Sequence, residues 1–278
     1  MRFINPKTDF AFKRIFGSTQ SKAILISFLN ALVYQGEPIV QDLEILDPYQ
    51  PPRVTGLKDT YLDVKATLQD GSLVIIEMQV LNVNAFHKRV IYNAAKAYSL
   101  QLQVGESYWQ LKPVIALTLT DFVLFEKSDG PISSFCLQEE NRHVPYPDNE
   151  LRFVFVELPK FEKTLETLET LTDKWIYFMK SALTLDAIPT EVADVPEIQQ
   201  AFQIADRINL TPQELEDLEK REMYIYDQQG ALMLAKSEGE RQKTIAIARK
   251  SLPILDDGQI SEITGLSLEE VRSLRQSS

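Results

Sequence analysis

Two acids, Asp63 and Glu77, interrupt otherwise apolar runs in the stretch YLDVKATLQDGSLVIIEMQV, residues 61–80. Carboxylates are hard oxygen donors for Mg²⁺ and also work as general acids and bases, so the pair could do metal or proton chemistry if it converges. Convergence depends on strand register. Side chains alternate along a strand, which groups Tyr61, Asp63, Lys65 and Thr67 on one face and Leu62, Val64, Ala66 and Leu68 on the other. A two-residue turn at Asp70-Gly71 would pair Asp63 with Met78 and Val64 with Glu77, mixing acids with apolar side chains. A three-residue loop, Gln69-Asp70-Gly71, with Gly71 in the left-handed region, shifts the pairing by one. Leu62 then faces Met78, Val64 faces Ile76, and Ala66 faces Val74. Burial selects this register, because a one-residue slip moves every side chain to the other face. It sets Asp63 directly opposite Glu77, with Cβ atoms roughly 5 Å apart, and Tyr61 opposite Gln79. Like charges so placed repel, and a bound cation converts the repulsion into coordination. A solvated polar face, or two carboxyls sharing a proton, are the alternatives that spacing leaves open.

Other polar residues fall within reach of the pair. Lys65 shares the predicted face of Asp63, and an exposed strand lysine is the competing account of it. Asp9 and Lys13, four apart in TDFAFKRIFG, share one face of a helical turn, where an ordinary ion pair competes with a role in the site. Phe10, Phe12 and Phe16 have apolar neighbours and read as core. Arg89, Tyr92 and Lys96, at i, i+3 and i+7, form a stripe able to meet phosphate. Cys136 is the single cysteine, and His87 and His143 are far apart, which excludes an internal disulfide and argues against a zinc site built on His and Cys.

These residues require an α/β framework. SKAILISFLNALVY reads as a long helix ended by Gly36 and Pro38, IVQDLEIL as a short strand, and DPYQPP as a break that no helix or central strand contains. The acid-bearing hairpin follows. NAFHKRVIYNAAKAYSLQLQVG reads as a second long helix, capped by Asn84 and ended by Gly105. KPVIALTLTDFVLF and LRFVFVEL complete the strands. Beyond residue 160 the pattern is helical, with Leu165, Leu168, Leu171, Trp175 and Phe178 as an apolar stripe. A cap at Thr211, Pro212 and Glu214 opens one long helix or two. Two short helices joined at Thr264-Gly265-Leu266-Ser267 close the chain with helix-turn-helix spacing. The domains expected are therefore 1–160, 161–243 and 244–278.

At 278 residues, 44% hydrophobic and 25% charged, the composition is that of an ordinary globular protein. No apolar run suits a signal core or a membrane span, which places the protein in the cytoplasm. The net charge of −11 seems adverse to nucleic acid, yet residues 1–127 hold 13 Lys/Arg and 12 Asp/Glu, so the acidity belongs to the second half. Glu269 and Glu270 open the would-be recognition helix and would repel phosphate, which favours a structural or partner-binding tail over a DNA reader.

The order helix, three strands, helix, strand, with an acid on the second strand and acid-x-polar on the third, resembles the PD-(D/E)XK nuclease superfamily. More narrowly, five pieces resemble the recombination-promoting nucleases (Rpn) and their transposase relatives: KTDFAFKRIFG, YLDVKATLQDGSLVIIEMQV, KRVIYNAAKAYSLQLQVGESY, KPVIALTLTDFVLF and EITGLSLEEVRSL. The likeness covers residues 1 to about 160 well and the tail more loosely. It implies a restriction-endonuclease-like core followed by an all-helical region, and a metal-dependent DNA endonuclease acting in recombination, mobile elements or defence. Asp63 and Glu77 would bind Mg²⁺, or Mn²⁺ in its place, with the Met78 carbonyl as third ligand. Gln79 stands where the superfamily usually has lysine, a departure the Rpn-like proteins share. Glutamine can orient a water without supplying positive charge, which leaves Lys65 or Lys13 to provide it. The partners implied are DNA and a second copy of the chain, paired through the C-terminal helices. The rival reading is a nuclease-fold protein without efficient chemistry that regulates by binding DNA or protein, for which Gln79 and the net charge are the arguments.

Overall fold

Short apolar runs bounded by turn residues build the sheet that carries both acids. The computed structural model describes residues 2–50 and 60–277, and the chain divides into two units, 1–222 and 223–278. In the first unit, α1 (Asp9–Phe16) starts at Thr8, whose hydroxyl accepts the Ala11 N–H, and α2 (Lys22–Val33) follows. Next come β1 (Leu43–Leu46), β2 (Tyr49–Gln50), β3 (Thr60–Tyr61), β4 (Val64–Leu68), β5 (Leu73–Gln79), α3 (Phe86–Ser99), β6 (Val114–Thr120), β7 (Ile132–Cys136) and β8 (Leu151–Glu157). The main sheet has the order β1-β4-β5-β6-β8-β7, with β5, β6 and β8 parallel. All seven residues of β6 are buried, as a central parallel strand covered on both faces requires.

The three-residue loop sets the hairpin. Val64 pairs with Ile76 and Ala66 with Val74, Leu68 N–H donates to the Ser72 carbonyl, and Gly71 has φ +86°. On one face Val64, Ala66, Val74 and Ile76 pack with α1 and α2, with α4 (Leu171–Ser181), and with α6 (Pro196–Ala205), which follows the one-turn α5 (Thr190–Ala193). Phe12, Phe16, Phe28, Trp175, Phe178 and Phe202 form an aromatic cluster of tilted and edge-to-face pairs there, and the Trp175 indole N–H donates to Ser27 Oγ at 3.0 Å. On the other face Leu73, Ile75, Val114 and Ala116 pack against Phe86, Val90, Ala94 and Ala97 of α3.

The elements differ from the sequence reading in four places. The run from Tyr61 to Leu68 is not one strand. A bend at Leu62-Asp63 separates β3 from β4 and turns Leu62 to the α3 face, away from the expected contact with Met78. Tyr49-Gln50, inside the expected break, pairs with Thr60-Tyr61, while Pro51 and Pro52 lie outside the described residues. Asn84 does not cap α3; Ala85 precedes it at φ +62°, without a side-chain cap. The helix also stops at Ser99, well before Gly105, because the Gln101 amide clamps both backbone groups of Lys112 and turns the chain away. Finally, β7 is an edge strand whose serines give its sequence, ISSFC, no apolar strand pattern.

Thr211 and Glu214 form the reciprocal cap that opens α7 (Pro212–Ser251), one uninterrupted helix. In the second unit, α8 (Asp257–Thr264) and α9 (Leu268–Gln276) join the end of α7 around a core of Ala248, Leu252, Ile260 and Val271. Glu270 caps α9 through Ser267. Among the described residues no helix is long and apolar enough to cross a membrane.

Candidate active site

Asp63 occupies the bend ahead of β4, and Glu77 and Gln79 lie at the carboxyl end of β5. The backbone ladder between these strands is recorded up to Val64–Ile76, one step short of the acids. Asp63 meets β5 through its side chain instead: Oδ2 accepts the Met78 N–H at 2.8 Å. A carboxylate thus satisfies a backbone donor, and a shell of backbone and helix contacts fixes its position. The side chains of Asp63 and Glu77 are 16% and 12% exposed, enough to meet a ligand and too little for full hydration.

Two flanking networks hold the acids. On the Asp63 side, Lys13 Nζ lies 2.6 Å from Asp9 Oδ1 and 3.8 Å from Asp63 Oδ1. Arg221 of α7 reaches Asp9 Oδ2 at 2.6 Å and covers the Phe10 ring. Burial pushes the Asp63 carboxyl up to about 7, the Met78 N–H opposes the shift, and the adjacent Asp9 adds to it. Burial also acts upward on Asp9, but Lys13, its hydrogen bond with Asp63 and Arg221 outweigh it and leave Asp9 below the ordinary range. The surroundings thus favour charge on Asp9 and disfavour it on Asp63.

On the Glu77 side, the Asn93 amide of α3 donates to Oε1, and Arg89 Nη2 lies 3.7 Å from Oε2. Burial raises the Glu77 carboxyl against both contacts. Arg89 Nη2 also donates to Gln79 Oε1, and Gln79 Nε2 donates to the Leu81 carbonyl at 2.6 Å. Asn93 is buried, and its Oδ1 has no hydrogen-bond partner among the described residues.

The remaining candidates have surroundings of their own. Lys65 pairs with Leu46 and Ile75; burial lowers its ammonium while Asp47, the acid that acts on it, opposes the shift. Lys96 Nζ donates to the Gln50 carbonyl at 2.8 Å, on the β2 side, and Tyr92 is exposed on α3. Sequence spacing did not single out Asn93 or Arg221, and it left Asp9 between an ion pair with Lys13 and a role in the site. Asn93 had a signal, since it follows Arg89 by four residues on the same helical stripe. Arg221 had none: only folding brings α7 to α1.

The donor set suits a hard cation. Among the described residues no group of three or more His, Cys, Asp or Glu gathers to hold a metal ion. Mg²⁺, however, typically takes one or two carboxylates and completes its octahedron with water and phosphate oxygens. Two partly buried carboxyls, both raised by desolvation, are groups whose negative charge a cation would stabilise.

A family model described as PD-(D/E)XK nuclease family transposase matches residues 6–235. No curated protein and no solved structure matches the chain.

Proposed function

Because the chain belongs to the PD-(D/E)XK nuclease family of transposases, we propose that it is a metal-dependent DNA endonuclease whose centre is Asp63 and Glu77. The observation that carries this reading is the pair itself: two carboxyls raised by burial, one anchored on Met78 N–H and the other on Asn93, each with a cation at its back. Asp63, Glu77 and the Met78 carbonyl would hold Mg²⁺, with Mn²⁺ as a substitute. The ion would polarise a phosphoryl oxygen and lower the pKa of water, the chemistry divalent cations supply to phosphodiester hydrolysis. The chain's own groups do the rest. With a cation held there Asp63 would be ionised; the Met78 N–H and Lys13 keep its carboxylate in place, and the second amide hydrogen of Gln79 is placed to orient the attacking water. Arg89, Tyr92 and Lys96 lie along the face of α3 that would follow the DNA backbone. The protein would work in the cytoplasm on recombining or mobile DNA, as a homo-oligomer assembled through its C-terminal helices.

The test is relaxation of supercoiled plasmid with Mg²⁺, with Mn²⁺ and with chelator, beside Asp63→Ala and Glu77→Ala. Metal-dependent relaxation lost in both variants supports the nuclease. Gln79, in place of a lysine, favours the alternative of a non-cleaving DNA- or protein-binding regulator. Absence of cleavage under every condition, with plasmid binding retained, would establish that alternative instead.

A further inference from the structure

The site as read so far lacks a positive charge for the phosphoryl group in the transition state. Gln79 is neutral. Lys13 is neutralised by Asp9 at 2.6 Å, and its other acidic neighbour is Asp63 itself. Burial disfavours the charged form of Lys65. Arg89 differs from all three. Its Nη2 donates to a neutral acceptor, Gln79 Oε1, and lies 3.7 Å from Glu77 Oε2, a contact too long for a hydrogen bond. A guanidinium carries five N–H donors, and Nε and Nη1 make no hydrogen bond among the described residues. The side chain is 44% exposed, lies over the Phe86 ring at 5.2 Å, and rises from the first turn of α3. It is thus held at its root and tethered at one nitrogen, with the rest of its fork available.

We propose that Arg89 is the catalytic cation of this centre and that Gln79 is its tether, the two together replacing the lysine absent from position 79. This rests on the nuclease reading above. In the step, a water oxygen forms a bond to phosphorus as the bond to the leaving sugar oxygen breaks. The water proton passes to solvent and the leaving oxygen takes a proton from solvent, giving a phosphomonoester and an alcohol. Arg89 transfers no proton and donates hydrogen bonds to the non-bridging oxygens as they gain charge. The planar fork suits this task better than an ammonium point charge placed as far away as α3. Glutamine at 79 also has a reason: a lysine there would repel Arg89, whereas an amide oxygen accepts from it.

The deciding experiment uses the full-length protein in single-turnover cleavage of plasmid. It compares wild type, Arg89→Ala, Arg89→Lys, Gln79→Lys and the double variant Gln79→Lys/Arg89→Ala. Mn²⁺ affinity by calorimetry and DNA affinity in Ca²⁺ are measured on each. Loss of one preorganised donor to a developing oxyanion typically costs about 10²–10³-fold in rate. Arg89→Ala should therefore slow cleavage about 100-fold or more while Mn²⁺ and DNA affinities change no more than a few-fold. Adding Gln79→Lys to it should restore at least about ten-fold, since the ammonium then stands where the guanidinium reached. Cleavage by Arg89→Ala near the wild-type rate, a loss matched by weaker DNA binding, or no recovery in the double variant would overturn the assignment. Cleavage that survives Asp63→Ala, or none by the wild type, would instead remove the nuclease reading and this inference with it.

Discussion

At the scale of the residue, Asp63 is governed by burial and by its neighbour Asp9. Its carboxyl titrates at 3.8 when free and about 7 when folded. The folded state holds that proton more tightly, so the stability it contributes is full below about pH 4 and is lost as pH rises through 7. Asp63→Asn keeps an acceptor for the Met78 N–H and removes the titration. In chelator at pH 8 it should be more stable than wild type by about 2 kcal/mol, with Asp9 and Lys13 absorbing part of the shift, and the difference should vanish by about pH 4. Urea unfolding across that range checks it. Added Mn²⁺ should raise the wild-type midpoint and leave the Asn variant's nearly unmoved. Hairpin parity groups Asp63 with Glu77, and one helical turn pairs Asp9 with Lys13, because both are local rules. The partners of Asn93 and Arg221 lie on other elements, so their contacts are not governed by such rules.

At the scale of the element, α3 decides how Arg89 and Asn93 are presented. It starts from Ala85 at φ +62°, a conformation that costs an L-residue roughly 1–2 kcal/mol, with no capping hydrogen bond in return. Ala85→Gly relieves that cost and gives back part of it as unfolded-chain entropy. The net expectation is a gain of about 0.5–1 kcal/mol, read as a melting temperature higher by about 2 °C, with cleavage unchanged. A loss of stability would mean that the Ala85 methyl makes contacts worth more than the strain. Sequence reading placed a helix here between Asn84 and Gly105 and misplaced both ends. Its start has no capping side chain, and its end follows from the Gln101–Lys112 clamp, which joins residues 11 apart.

At the scale of the whole molecule, α7 poses the question of assembly. Every residue from Ala231 to Lys243 is exposed, including the consecutive Leu232, Met233 and Leu234. A helix with apolar residues on all sides and no packing partner lacks the tertiary contacts that stabilise most helices. Glu216, Asp217 and Glu219 precede these three apolar residues, and Arg241, Lys243, Arg249 and Lys250 follow them. An antiparallel second copy centred on Leu232 and Met233 would bury the apolar segment and set acid against base. Sedimentation should then give about twice 31.8 kDa for wild type, and 31.8 kDa for Leu232→Asp/Leu234→Asp. Wild type sedimenting as a monomer at every concentration would remove the self-association proposal.

The sequence by itself determined what local periodicity and sterics control. Gly71 must take a left-handed turn, the hairpin must pair Val64 with Ile76, and an acid must stand beside that pair on each strand. The order of helices and strands, and the resemblance to a nuclease core, followed from the same signals. Tertiary structure alone decided the rest. The strand breaks at Asp63 because a carboxylate, not a backbone carbonyl, meets Met78 N–H. The polar edge strand β7 forms because β8 offers it a ladder. Asn93, Arg89 and Arg221 meet the acids because folding sets α3 and α7 beside them, a proximity that no spacing along the chain encodes.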